Sequence, residues 1–201
     1  MTELTVERVS RNHRQRVIEV AATLSGQSLF DFAEGRLMEP ATAGLVTMSE
    51  IVLPHGIDAP WAQMRESLWN AAERAERRRD ANLASLWRGW APPAADEDAE
   101  RALALGLART MADYLLAAVD VSVLRQCGRC EVRALCSARE VGPEGFGAKT
   151  RFGLSRPRRE QRGLPASPQS ELHFLREAWA RLCAGDLRQA RIAGAPQAVS
   201  L

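Results

Sequence analysis

"CGRCEVRALC", residues 127–136, is the stretch that decides what kind of fold this chain adopts. Its three cysteines have a C-x₂-C-x₅-C spacing, which suits a loop wrapped around zinc or an iron–sulfur cluster. The same residues can instead form a β-strand, in which Cys130 and Cys136 would lie roughly 20 Å apart, too far to share an ion. We predict the strand. The alternative is a metal site made by the four cysteines of the chain, Cys127, Cys130, Cys136 and Cys183.

The composition is that of an ordinary globular protein. The chain has 201 residues, 46% of them apolar and 26% charged, so one domain with a sizeable core is expected. The formal net charge is only +2, but Lys149 is the sole lysine among 27 basic residues. This arginine bias has two explanations, a GC-rich coding sequence or phosphate recognition by guanidinium groups. Because there is no apolar segment of membrane-spanning length and no apolar signal core, we expect a cytoplasmic protein with reduced cysteines.

Apolar periodicity predicts an α/β (α+β) domain with one central sheet, mixed or antiparallel. Alternating or β-branched residues predict strands at residues 4–10, 49–54, 83–93, 119–124 and 129–136, of which 83–93 is ambiguous with a helix end. Helical spacing predicts helices at residues 13–25, from Asp58, from Asp96 and from Ser167. Gly26 is expected to end the first helix, and Asp96 to cap the third.

Two helices and one loop carry specific expectations. The helix from Asp58 is predicted to be long, with an inner stripe of Met64, Leu68, Ala71, Ala75 and Leu83. The next helix is predicted to bury Leu103, Leu107, Met111, Leu115 and Ala118. Residues 153–168, rich in arginine, proline and glycine, predict a mobile basic loop. The domain is expected to span residues 1–193, followed by a flexible tail at 194–201.

Several segments resemble the MobA/MobL family of relaxases, over residues 9–152 and 170–183. The most specific is "SEIVLPHGIDAPWAQMRESLWNAAERAERRRDANLA" (49–84), which is similar to the family's signature block. The others are "VSRNHRQRVIEVAATLSGQSLFD" (9–31), "DVSVL" (120–124), "RALCSAREVGPEGFGAKTR" (133–151) and "LREAWARL" (175–182). The resemblance implies a five-stranded antiparallel sheet flanked by helices, in a protein that nicks and rejoins single-stranded DNA.

The family resemblance also implies a mechanism. A tyrosine attacks the scissile phosphate and forms a 5′-phosphotyrosyl link, and three histidines hold a divalent cation that polarises the phosphate. In this chain the tyrosine position is Thr23, and the three histidine positions are Leu124, Glu131 and Arg133. The only tyrosine, Tyr114, and the three histidines, His13, His55 and His173, occupy none of these positions. We therefore predict a degenerate relaxase that is not an active nickase and needs no cofactor.

We predict that such a protein still binds DNA. Arg133 is expected either to contact a DNA phosphate in place of the ion or to pair with Glu131. The other candidates for phosphate contact are Lys149 and Arg151, at a basic position of the family pattern, and the arginines Arg77, Arg78 and Arg79 of the second helix. The expected partners are single-stranded or hairpin DNA and other mobilisation (relaxosome) proteins, without a membrane.

Other interpretations remain open at this point. Thr23 as nucleophile with Glu131 as magnesium ligand would make an active, metal-dependent nickase with non-standard residues. The four cysteines would make an iron–sulfur or zinc regulator. A decayed gene product without a selected function is a further hypothesis.

Overall fold

A computed structural model describes residues 3–11, 16–41, 44–78, 80–93 and 95–185. The main sheet has the strand order β1-β5-β7-β6-β4, and every pair in it is antiparallel; β8 adds to the far end of β7. A separate hairpin pairs β2 with β3. The strands are β1 (Leu4–Ser10), β2 (Leu29–Asp31), β3 (Arg36–Met38), β4 (Leu45–Val52), β5 (Asn82–Trp90), β6 (Ala117–Gln126), β7 (Arg129–Gly142) and β8 (Gly145–Lys149).

Helices cover both faces of this sheet. They are α1 (Val17–Ser25), α2 (Pro60–Gln63), α3 (Arg65–Ala75), α4 (Glu97–Leu115), α5 (Arg156–Gln161) and α6 (Gln169–Cys183). One core lies between the sheet and α4 with α6, and the other lies between the sheet and α1 to α3. The predicted five-stranded antiparallel sheet with flanking helices is therefore confirmed.

The stretch at 127–136 forms a turn and the first part of β7, the central strand, so the predicted strand is confirmed. Its side chains alternate between the two cores. Cys130 and Cys136 belong to the core under α4 and α6, whereas Leu135 belongs to the core under α1 to α3. Glu131 and Arg133 have the same parity as Leu135 and therefore lie on its face of the sheet.

Predicted helix boundaries hold where a local signal exists. Gly26 ends α1 in the left-handed region at φ 69°. The Asp96 side chain accepts a hydrogen bond from the Ala99 amide at the start of α4, which is the predicted cap. Within the described residues, no helix is long and apolar enough to cross a membrane.

The long helix predicted from Asp58 is wrong in its extent. Met64 adopts an extended conformation (φ −92°, ψ 112°) that separates α2 from α3, and its side chain is 60% exposed rather than inward. Leu83 is buried in β5, and Ala118 is buried in β6 rather than in α4. These apolar residues satisfied a helical period by chance, because a buried strand residue fits either pattern.

The mobile basic loop predicted at 153–168 is also wrong, because α5 lies inside it. Arg159 on α5 is fully buried and donates two hydrogen bonds to the Glu171 carboxylate, at 2.9 and 2.8 Å. It also donates to the carbonyls of Pro165 and Arg151. The carboxylate that binds Arg159 belongs to Glu171 on α6, twelve residues further along the chain. The local composition of residues 153–168 does not indicate this contact. The tail at 194–201 falls outside the described residues.

Candidate nucleic-acid interface

The three positions that the family resemblance assigns to histidines come together on the sheet. Leu124 on β6 is directly opposite Glu131 on β7, and Arg133 lies one pleat further along β7. Thr23 is on α1, whose end at Gly26 packs closely on β4: a Cβ built at Gly26 would lie 3.2 Å from Val46. Val46 is in turn the cross-strand partner of Leu124. The end of α1 therefore borders the same region of the sheet.

Glu131 and Arg133 form an ion pair. Arg133 Nε donates to Glu131 Oε2 at 2.5 Å, and the two side chains are only 19% and 11% exposed. Leu124 offers no lone pair, and the guanidinium places a positive charge where a cation would sit. These residues do not fit the divalent cation of the family. Among the described residues, no three His, Cys, Asp or Glu side chains are grouped so that they could hold an ion.

Thr23 makes a structural contact. Its hydroxyl oxygen accepts a hydrogen bond from the Ala41 amide at 3.2 Å, which ties α1 to the segment after β3. A threonine nucleophile needs a general base that accepts its proton. The observed contact uses the hydroxyl as an acceptor, so it does not activate the oxygen for attack.

Tyr114 lies on the opposite side of the sheet. It is on α4, stacked on Phe174 with a ring-centroid distance of 4.1 Å, and the Arg151 guanidinium lies 4.6 Å from its ring centre. Desolvation by burial raises the pKa of Tyr114, partly offset by the positive charge of Arg151. Because the sheet separates it from Thr23, no side-chain rotation brings this tyrosine to Thr23.

The histidines are likewise elsewhere. His55 follows β4, where its backbone amide binds the Asp113 carboxylate, and His173 is an exposed residue of α6 beside Glu177. His13 falls outside the described residues.

A set of residues that the sequence did not single out surrounds Arg133. Arg88 on β5 is directly opposite Arg133, and Trp90 is directly opposite Glu131. The Arg129 guanidinium lies 4.1 Å from the ring centre of Trp90. We call Arg88, Trp90, Arg129 and Arg133 the Arg–Trp face. Strand alternation within 83–93 and 129–136 could have indicated it, but only the register of β5 against β7 shows that these residues are neighbours.

Two polar atoms at this face have no hydrogen-bond partner in the described part of the chain. They are Arg88 Nε and Ser122 Oγ, both buried; Ser122 is the cross-strand neighbour of Arg133 on β6. The other end of the Arg88 guanidinium binds Glu7 at 3.0 Å. Arg133 contacts Glu131 through Nε alone. Its two terminal nitrogens have no partner among the described residues.

The other predicted phosphate contacts do not join this face. Lys149 on β8 contacts the Glu76 carboxylate at 2.5 Å. Its cross-strand neighbour on β7 is Arg139. Arg139 is six residues from Arg133 along β7, or roughly 20 Å. Arg151 lies with Tyr114 on the α4 side and contacts Glu171 at 3.3 Å.

Two of the three arginines predicted on the second helix, Arg77 and Arg78, are not helical. Arg77 and Arg78 follow the end of α3 at Ala75 and are exposed, and Arg78 binds Asp80 at 3.0 Å. The helix ends earlier than predicted because residue 76 is already extended, which places Glu76 against Lys149 and Arg139. Arg79 falls outside the described residues.

The cysteines do not converge. Burial raises the pKa of Cys130 to about 11 and that of Cys136 to about 12, so both are protonated thiols at neutral pH. Cys127 is exposed in the turn between β6 and β7 at φ 50°, and Cys183 ends α6. Metal ligation requires thiolates that point at one ion, and β7 keeps Cys130 and Cys136 about 20 Å apart.

The signature block at 49–84 holds the fold together. Arg65 at the start of α3 binds both oxygens of Asp120 on β6, at 2.7 and 2.9 Å, and Trp69 donates to the same carboxylate. Glu73 accepts a hydrogen bond from the first amide of α1, that of Val17. These residues of the block therefore have structural roles, because they connect α3 to β6 and to α1.

An antiparallel sheet with this central strand, and with helices on both faces, defines a relaxase-like fold. The chain is similar to a solved structure described as the molecular basis of vancomycin resistance transfer in Staphylococcus aureus. The TM-score is 0.74 at 18% identity, over 93% of this chain and 92% of that chain. At that identity the likeness shows the fold alone.

Sequence comparison shows the family. The model of the MobA/MobL family matches residues 15–194, and the chain belongs to that family. It is 30% identical over 120 residues to the mobilization protein MobL of Acidithiobacillus ferridurans. That match covers 60% of this chain and 31% of the relative, so the chain spans under a third of that protein's length.

Proposed function

We propose that this protein binds single-stranded or hairpin DNA in plasmid mobilisation and does not nick it. Family membership and the name of the relative, a mobilization protein, support the setting. The observation that carries the proposal is that Arg133, at a position that the resemblance assigns to a metal ligand, lies opposite Arg88 with two nitrogens available. A guanidinium binds phosphate in bidentate fashion and supplies the positive charge that the ion supplies elsewhere in the family.

The absence of nicking follows from the same residues. A phosphotyrosyl link needs a tyrosine, and Thr23 is an amide-bound threonine while Tyr114 lies across the sheet. Stabilising the charge on the scissile phosphate needs a cation with several oxygen or nitrogen ligands. Leu124 and Arg133 cannot be such ligands. The protein would then need no metal, zinc or iron–sulfur cofactor.

A salt titration tests DNA binding. We expect an oligonucleotide of about 20 nucleotides to bind at low salt, with log K falling linearly as log salt rises. Arg133→Gln should weaken binding and reduce the magnitude of the salt slope by about 0.7, the value for one phosphate contact on a single strand. Arg181→Gln, the same charge change on α6 at the opposite face, is the matched control. No binding to either single-stranded or hairpin DNA at low salt overturns the proposal.

A further inference from the structure

The Arg–Trp face has an aromatic component that phosphate binding does not use. Trp90 is half-buried at the end of β5, with Arg129 lying over its ring at 4.1 Å. Trp69, Trp87 and Trp179 are fully buried, and Trp61 is engaged by Gly142 and Phe146. Trp90 is thus the one tryptophan of the five that is partly exposed without such an anchor in the described residues.

Arg129 differs from the other arginines of this face. Arg88 is paired with Glu7, and Arg133 is paired with Glu131. Arg129 is exposed and has no carboxylate partner among the described residues. A guanidinium held on an indole ring presents a flat, cationic surface, and such surfaces stack with nucleobases of any sequence.

We propose that Trp90 and Arg129 form a base-stacking subsite for single-stranded nucleic acid. The geometry supports it because Trp90 is directly opposite Glu131, one pleat from Arg133 and Arg88. A base on the Trp90–Arg129 pair would therefore place its phosphate next to Arg133. The inference rests on the proposed DNA binding and adds to it a preference for unpaired bases, because bases stacked within a duplex cannot reach the pair.

Two strands of equal length and charge test the subsite. One is an oligothymidylate, and the other carries abasic spacers at every position, so the phosphates are the same and only the bases differ. We expect the wild type to bind the base-containing strand about tenfold more tightly. Trp90→Leu should abolish this preference, and Trp90→Phe should retain most of it. Quenching of tryptophan fluorescence by the oligothymidylate should be lost in Trp90→Phe and kept in Trp61→Phe.

Each outcome separates the two claims. Equal affinity of the wild type for both strands, or a preference that survives in Trp90→Leu, overturns the stacking subsite and leaves the proposed DNA binding intact. Binding of neither strand overturns the subsite, and if hairpin DNA also fails to bind at low salt, the proposed function is overturned with it. Circular dichroism of each variant checks that the fold is retained.

Discussion

Arg133 and Glu131 form an ion pair at two positions that the family resemblance assigns to histidines. The pair is nearly buried, so each charge stabilises the other, and removing one alone would leave an uncompensated charge. Leu124 fills the third ligand position with a hydrocarbon side chain that is 2% exposed. Leu124 is apolar, and Glu131 and Arg133 are paired with each other. None of these three side chains therefore needs a bound ion.

Thiol chemistry tests the placement of the cysteines. In the native protein we expect Cys127 to react rapidly with a thiol reagent, since it is exposed at a turn. Cys130 and Cys136 should react only on unfolding, because burial raises the pKa of each thiol to about 11 and about 12. Cys127→Ser should remove the fast phase. Rapid reaction of Cys130, or iron or zinc lost in Cys130→Ser, would contradict the strand geometry.

The Arg159–Glu171 pair predicts how stability depends on pH. Although desolvation opposes it, hydrogen bonding to Arg159 and Ser170 lowers the pKa of Glu171 below its ordinary value. The carboxylate therefore stabilises the fold fully above the unfolded-state pKa of about 4.3, and this contribution is lost as pH falls through the lower, folded-state pKa. Glu171→Gln should cost about 3–5 kcal/mol in urea unfolding at pH 7.

The pH profile provides the check on that prediction. The difference between wild type and Glu171→Gln should shrink as the pH is lowered below 4, where the wild-type carboxyl becomes protonated. Glu177→Gln, an exposed carboxylate on the same helix, is the control and should be near neutral. A difference that stays constant down to pH 2 would show that the charge of Glu171 is not what stabilises α5 and α6.

At the level of the elements, β7 organises the molecule because it pairs with β5, β6 and β8. Its alternation sends the cysteines to the α4 and α6 core and the charged pair to the other face. Helix α6 reaches the sheet closely at Gly89, where a Cβ would lie 2.6 Å from the Trp179 ring. Any side chain at residue 89 would clash with the Trp179 ring, so this close contact requires glycine.

Gly89→Ala should therefore destabilise the protein. The indole is fully buried and cannot move away freely, so overpacking should lower the free energy of unfolding by about 1–3 kcal/mol. Gly147→Ala in β8 is the matched control, because its Cβ would meet only ordinary contacts, the nearest at 3.7 Å. Denaturant unfolding of both variants measures the difference. Equal stability of the two would mean that α6 is not seated on β5 as described.

Elements with a strong local signal could be predicted from sequence, and partners distant in the chain could not. Alternation located β1 and β7, and Asp96 marked the start of α4. The burial of Arg159 depends on a carboxylate that another helix supplies, and no local signal marked the break at Met64. The catalytic positions assigned by the resemblance stay a prediction. Arg88, Trp90 and Arg129 were missed because cross-strand register is set by tertiary pairing.

On the scale of the whole molecule, the two faces of the sheet have separate roles. The face under α4 and α6 holds a continuous apolar core, including both buried cysteines. On the opposite side of the sheet, α1 to α3 cover part of the surface. The residues of the Arg–Trp face lie on the same side, further along the strands than the Arg65–Asp120 ion pair. The family resemblance assigns the nicking chemistry to positions on this second face, where the chain has Thr23, Leu124, Glu131 and Arg133.

A plasmid assay tests the proposal that the protein does not nick DNA. Supercoiled plasmid carrying a transfer origin, incubated with the protein and Mg²⁺ or Mn²⁺, should remain supercoiled, because neither a tyrosine nor a set of metal ligands is in place. A site-specific nicking enzyme on the same plasmid is the positive control. Relaxed plasmid with protein attached to the 5′ end, lost in Thr23→Ala, would establish an active nickase instead.

The central claim is that a guanidinium has taken the place of the metal ion in a DNA-binding site. The most direct measurement is the affinity for a single-stranded oligonucleotide in EDTA and in Mn²⁺ at constant ionic strength. We predict equal affinities under both conditions for the wild type, and weaker binding by Arg133→Gln in both. Binding that requires Mn²⁺, or that is unchanged in Arg133→Gln, would contradict the account.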